Sequence, residues 1–211
     1  MPTVDSEKEL EDYLYEVTQR NFDESPLEEF APEGEIFRQV NIGGYGVMDL
    51  VIVSFEFPCD MYSYPKVTIT IIELKKHKIN YQALGQISKY YRAIELFMNE
   101  ITGELKNPLQ YDIKGILIGE SVDNESDFVF LANNIEWLDL ITYSIDFEYG
   151  LTLNGHSREW FLKGDHFSSL RENGLRELTP IFLKKHMDWR RYNIKLKREV
   201  ISPPIGELEI K

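Results

Sequence analysis

Val67 to Lys75 reads V-T-I-T-I-I-E-L-K, and an aspartate stands upstream at Asp49. An apolar run ends in a carboxylate and a lysine two residues apart. Side chains alternate across a strand, so Glu73 and Lys75 share a face, in line with Ile69 and Ile71. The end of a core strand has little use for an acid and a base side by side. Metal-assisted hydrolysis of a phosphodiester has a clear use for them. Carboxylates hold a divalent cation, and a nearby ammonium positions the attacking water or neutralises developing charge. On spacing alone an ordinary ion pair closing a strand fits Glu73 and Lys75 equally well. Asp49, set among Val47, Val51 and Val53, fits a solvated edge acid poorly, because a buried acid needs a partner.

These residues must be positioned by regular elements. Val47 to Phe57 is apolar on both faces (Leu50 and Ile52; Val51 and Val53), which predicts a central strand carrying Asp49. Pro58 to Pro65 reads as a turn, and Val67 to Lys75 as the hairpin partner. Leu84, Ile87, Tyr91, Ile94 and Met98 step by three and four, predicting a helix over 81–98. Gln86 and Tyr90 lie four apart on that helix and share one side. Ser6 opens S-E-K-E, a capping box with Glu9, and Leu10, Tyr13, Leu14 and Val17 follow at helical spacing. A helix over 6–20 is expected, its first acids suiting the helix dipole. Residues 21–35 are a connection and Ile36 to Val40 a short strand. Gly43, Gly44 and Gly46 read as turn and bulge glycines, since no G-K-[ST] follows and a strand comes next. Further on, 99–110 reads as a polar loop. Ile113 to Ile118 reads as a buried strand, parallel to its neighbour because a helix intervenes. Residues 131–139 read as helical, and 140–153 as one or two strands. The order α-β-β-β-α-β-α-β is an α/β (α+β) arrangement, a mixed central sheet flanked by helices, over residues 1–153. Residues 154–211 form a C-terminal extension. Trp160, Phe161, Phe167, Leu170, Leu175 and Leu178 suggest one or two helices there, Pro180 to Tyr192 another, and Ile201 to Lys211 an extended tail.

Assembled, the pattern is D-(x)23-E-x-K-(x)10-Q-x-x-x-Y. With S-E-K-E-L-E-D-Y-L before it and K-G-I-L-I-G after it, the chain resembles the PD-(D/E)xK nuclease superfamily over roughly residues 6–120. Within it the likeness is closest to the RecB- and NucS-like group, which acts on DNA ends, branches or single strands. The resemblance implies a restriction-endonuclease-like fold and an enzyme that cleaves DNA with magnesium or manganese. It implies that Asp49 and Glu73 ligate the cation together with the Leu74 carbonyl. Lys75 would orient or activate the attacking water, and Gln86 would hold the site together or touch the nucleic-acid backbone. Glu7 on the first helix would complete the site, with Glu11 one turn on nearly as good a fit. Such strands often carry a basic residue two before the aspartate, and here that residue is Val47. Lys76, His77 and Lys78 could supply phosphate contacts instead. A homodimer is a further expectation.

Net charge is −13 over 211 residues, which taken alone disfavours nucleic acid. Its distribution is uneven. Residues 1–35 carry twelve acids and two bases, whereas 184–198 carry seven bases, among them Arg190 and Arg191. That strip, with Trp189 and Tyr192, is a candidate nucleic-acid surface, although packing of an amphipathic helix explains it more simply; Tyr90 on the second helix is a separate candidate contact. An apolar content of 43% excludes wholesale disorder. The lone Cys59 permits no internal disulfide and suits a reducing, cytoplasmic setting. The four histidines lack zinc spacing, no signal-peptide pattern follows Met1, and no apolar run reaches membrane length, so no membrane partner is expected. The competing functions are a metal-dependent nuclease in repair, restriction or defence, a nuclease-like module that recruits a protein without cutting, and a module that grips nucleic acid through 184–198.

Overall fold

The computed structural model describes residues 4–56, 66–104, 109–124, 127–146 and 150–155. The expected turn with Cys59 lies outside these residues. So does the extension beyond 155, with its expected helices, Trp189, Arg190, Arg191 and Tyr192.

The first helix, α1, spans Glu7–Arg20. The Ser6 hydroxyl accepts the Glu9 N–H at 3.2 Å, which satisfies one free donor of the first turn. The capping box differs in its return bond: the Glu9 carboxylate takes the N–H of Asp5 at 2.6 Å. Leu10 and Leu14, one turn apart, are fully buried. Then follow β1 (Glu35–Asn41), β2 (Val47–Glu56), β3 (Lys66–Leu74), β4 (Lys78–Ile79) and α2 (Tyr81–Glu104). The described chain continues through β5 (Gln110–Gly119), β6 (Ser121–Val122), α3 (Phe128–Asn133), β7 (Leu138–Asp146) and β8 (Gly150–Gly155).

Six strands form one mixed sheet in the order β1-β2-β3-β5-β7-β8. β2 pairs antiparallel with both β1 and β3, as a hairpin reading requires. β3, β5 and β7 run parallel, and β8 returns antiparallel. The parallel step from β3 to β5 follows from the crossover through α2. The two faces of the sheet are covered by different helices. Val51, Val53, Ile69 and Ile71 pack with Ala83, Ile87, Ile94 and Phe97 of α2. Leu50, Ile52, Ile72, Leu74 and Ile118 pack with Leu10 and Leu14 of α1. The result is an α+β fold, a mixed sheet flanked by helices. Each fully buried leucine contributes about 2 kcal/mol, and Leu14→Ala would cost about 3 kcal/mol once the cavity is counted.

Three expectations are corrected. The second helix runs to Glu104, over the first half of the loop expected at 99–110, and Gln110 already begins β5. Burial of Ile101 and the bond from the Thr102 hydroxyl to the Met98 carbonyl, 2.7 Å, carry the helix on. Its buried stripe is centred on Ala83, Ile87, Tyr90 and Ile94, leaving Leu84 and Tyr91 half-buried. The helix expected over 131–139 is instead α3, and Leu138 already begins a strand. Phe128 and Ala132, four apart, anchor α3, whereas Leu138 and Leu140 alternate into the core. The short parallel pair β4 and β6 has too few residues to show a period.

Candidate functional site

β2 and β3 are neighbouring inner strands of the sheet, and their register sets the site. Leu50 stands opposite Ile72. One residue outward on each antiparallel strand, Asp49 and Glu73 therefore arrive at the same level. Asp49 Oδ2 accepts the Leu74 N–H at 2.8 Å, which fastens the acid of β2 to β3. Glu73 is 1% exposed. Its Oε1 accepts Lys75 Nζ at 2.7 Å, while its Oε2 is buried without a hydrogen-bond partner. The Lys75 N–H is held by the Ile118 carbonyl at 2.7 Å, so the lysine is aimed from a fixed backbone.

Helix α2 closes the other side. Lys75 Nζ lies 3.5 Å from Gln86 Oε1, at the limit of a hydrogen bond. Gln86 Nε2 donates to the Tyr90 hydroxyl at 2.8 Å, and that hydroxyl donates to the Val47 carbonyl at 2.7 Å. A polar chain thus runs from Glu73 through Lys75, Gln86 and Tyr90 to the start of β2. Gly46, at φ 122, makes this approach possible, because a Cβ there would meet the Tyr90 ring at 3.1 Å. Val47 is 38% exposed, so the apolar setting expected around Asp49 is one-sided.

Charge is concentrated here. Burial, then the charge of Asp49, pushes the Glu73 carboxyl up to about 7, against the pull of Lys75. Burial also raises Asp49, partly offset by the Leu74 N–H. Burial would lower Lys75, but the bond and charge of Glu73 outweigh it, and the net shift is upward. A buried carboxylate oxygen with no partner, beside a second carboxylate, is a place that a hard cation would satisfy. Among the described residues no three His, Cys, Asp or Glu side chains gather into a metal-binding cluster. The donors on offer are the two carboxylates.

Both first-helix acids border the pair. Glu7 is exposed and accepts the Lys76 N–H at 3.2 Å. Glu11 is 7% exposed and accepts Gln39 Nε2. Burial raises the Glu11 carboxyl, the Gln39 bond opposes this, and the charge of Asp49 adds to it. The lysines beyond the site are engaged within the fold. Lys76 Nζ donates to the Asp5 carbonyl at 2.7 Å, and Lys78 Nζ pairs with Asp123 at 2.9 Å. Tyr143 of β7 donates its hydroxyl to the Lys76 carbonyl. His77 pairs at the surface with Glu120 at 3.2 Å. Sequence reasoning overlooked Gln39 and Tyr143. A signal for Gln39 existed in I-F-R-Q-V, where apolar Phe37 and Val40 break the strand alternation.

Fold and site together define a class: a mixed sheet whose central strands present paired carboxylates and a lysine at one edge. No family model matches the chain, and no curated protein matches it. Among solved structures, the crystal structure of a repair endonuclease from Pyrococcus abyssi is similar over 66% of this chain, at 19% identity and a TM-score of 0.39. The match covers 47% of that protein, so this chain spans about half its length. Among the described residues, no helix is long and apolar enough to cross a membrane.

Proposed function

We propose that the chain is a metal-dependent nuclease that hydrolyses phosphodiester bonds of DNA. The observation that carries this is the pairing of half-buried Asp49 with fully buried Glu73, with Lys75 Nζ 2.7 Å from Glu73 and the second Glu73 oxygen unbonded. Asp49, Glu73 and the Leu74 carbonyl would hold magnesium or manganese, hard ions that take oxygen ligands and keep several waters. When bound, the ion supplies Lewis-acid stabilisation of charge on the phosphate and a more acidic water.

The residues of the chain do the rest. The Leu74 N–H keeps Asp49 turned toward Glu73. Lys75, raised in pKa and therefore cationic at neutral pH, orients the attacking water and offers charge to the phosphate oxygens. It is poorly suited to remove a proton itself. Gln86, held by Tyr90, lies beside Lys75 and steadies it or touches the DNA backbone. In the reaction a water oxygen bonds to phosphorus, one ester P–O bond breaks, and the departing oxygen takes a proton. The resemblance of the motif supports DNA with ends, branches or single strands as the substrate, and a homodimer as the working form.

The test is cleavage of nicked, flapped, single-stranded and duplex DNA, and of RNA, by purified protein with magnesium or manganese. Asp49→Asn and Lys75→Ala serve as controls. Cleavage of none of these, together with no metal binding, would sink the reading. A second reading, a nuclease-like module that binds protein or nucleic acid without cutting, is favoured by the net charge of −13 and by the internal bonds of Lys76 and Lys78. It predicts partner binding that survives Asp49→Asn.

A further inference from the structure

Gln39 is the one non-glycine residue with positive φ among the described residues, at 50°. Glutamine has no short side chain to ease that backbone, which costs about 1 kcal/mol and persists only where the surroundings hold it. Its position explains what is held. The β1–β2 register runs Arg38 to Leu50 and then Val40 to Met48, without a Gln39–Asp49 pair between them. The ladder is interrupted at the residue facing Asp49. The apolar pattern shifts at the same point. Phe37 and Val40, three apart, both enter the core on the α2 side, as do Met48 and Val51 across from them. A regular strand would send such residues to opposite faces.

The turned backbone leaves the Gln39 side chain facing α1, where its Nε2 donates to Glu11 Oε2. The neighbouring cation is directed elsewhere: Arg38 pairs with Asp12 at 2.8 Å and lies 5.0 Å from the centre of the Tyr15 ring. Glu11 is thus oriented by a neutral amide rather than by a guanidinium. A neutral donor fixes the carboxylate in place and leaves its negative charge available.

We propose that Gln39 is a positioning residue: its left-handed backbone opens the ladder opposite Asp49, and its amide holds Glu11 beside that opening as an outer acid for the waters of a hydrated divalent cation. The inference rests on the metal-site reading above. Outer partners of this kind are worth about 10- to 100-fold in metal affinity. It also distinguishes Glu11 from Glu7, which is exposed and bonded to the Lys76 N–H.

The experiment is calorimetric titration of manganese into the full chain, with melting curves for each variant. Gln39→Gly accepts φ 50° freely and removes only the amide. The expected result is an unchanged or higher melting temperature and about tenfold weaker manganese binding. Glu11→Gln is expected to weaken binding to the same degree. The double variant should bind no more weakly than Glu11→Gln alone, because the amide acts through Glu11. Wild-type affinity in Gln39→Gly, or an additive loss in the double variant, overturns the inference while leaving the metal site standing. A wild-type chain that binds no manganese, or an Asp49→Asn variant that binds it equally well, overturns the metal site and the inference with it.

Discussion

The Asp49 carboxylate and the Leu74 N–H lie 2.8 Å apart, so the acid of one strand is fastened to the backbone of the strand that carries the other acid. Two carboxyl groups that repel one another are kept together by a main-chain bond, while burial pushes the pKa of both upward. That arrangement is unfavourable without a counter-charge, and it yields measurable consequences.

Asp49→Asn keeps an oxygen that can accept the Leu74 N–H, so the fold should survive. Removing the like charge should lower the Glu73 pKa from about 7. Without metal, the variant should be about 1 kcal/mol more stable than wild type at pH 8. Manganese binding should disappear. Denaturant unfolding and calorimetry on the same samples check both.

Stability of the metal-free chain should fall as pH rises. The Glu73 carboxyl, raised in the folded state to about 7 from an ordinary 4.5, holds its proton where the unfolded chain has lost it. The associated stability is fully present below pH 4.5 and is lost as pH rises through 7. One such group contributes on the order of 3 kcal/mol. Glu73→Gln should flatten this dependence in urea unfolding measured from pH 4.5 to 8. Divalent cation should restore stability to wild type at the upper end and not to the variant.

Lys75→Ala leaves Glu73 without its ion-pair partner. At pH 8 the loss should be about 2 kcal/mol, less than for a fully fixed charge because Glu73 can take up a proton. At pH 5 the loss should be smaller, since Glu73 is already protonated in the folded wild type. Loss of its charge beside the phosphate should cut cleavage about 100-fold or more with manganese binding retained. A variant that cleaves normally would remove Lys75 from the chemistry.

Tyr90→Phe deletes the hydroxyl between Gln86 and the Val47 carbonyl. The loss of stability should be about 1–2 kcal/mol, with the Val47 carbonyl left unpaired. Because Gln86 also loses its anchor beside Lys75, turnover should drop further than the change in melting temperature explains. Gln86→Ala in the Tyr90→Phe background should then add little.

Much of the architecture was legible because its signals are local. The two-sided apolar run Val47 to Phe57 and the apolar run Val67 to Lys75 predicted β2 and β3 within a residue or two, and the capped, periodic run after Ser6 predicted α1. The helix between them predicted that β3 and β5 are parallel. Positions that depend on what packs nearby were misread. The far end of α2 is extended by Ile101 burying itself, and Leu138 enters the sheet because β5 is there to pair with it. Of the candidate site residues, the chain brings Asp49, Glu73, Lys75, Gln86 and Tyr90 into one polar cluster, with Glu7 and Glu11 at its border. Lys76 and Lys78 bond within the fold.

By itself, the sequence determined which residues could act and on which elements they ride, because side-chain direction repeats every two residues in a strand and every 3.6 in a helix. The tertiary structure alone decided how those elements meet. It placed Asp49 level with Glu73 through the register of two strands, left Glu73 Oε2 unbonded, and turned Gln39 out of the β1 ladder toward Glu11. Register and burial are set by contacts between segments distant in the chain; the broken alternation of I-F-R-Q-V marks an irregularity at Gln39, but not the partner it turns toward.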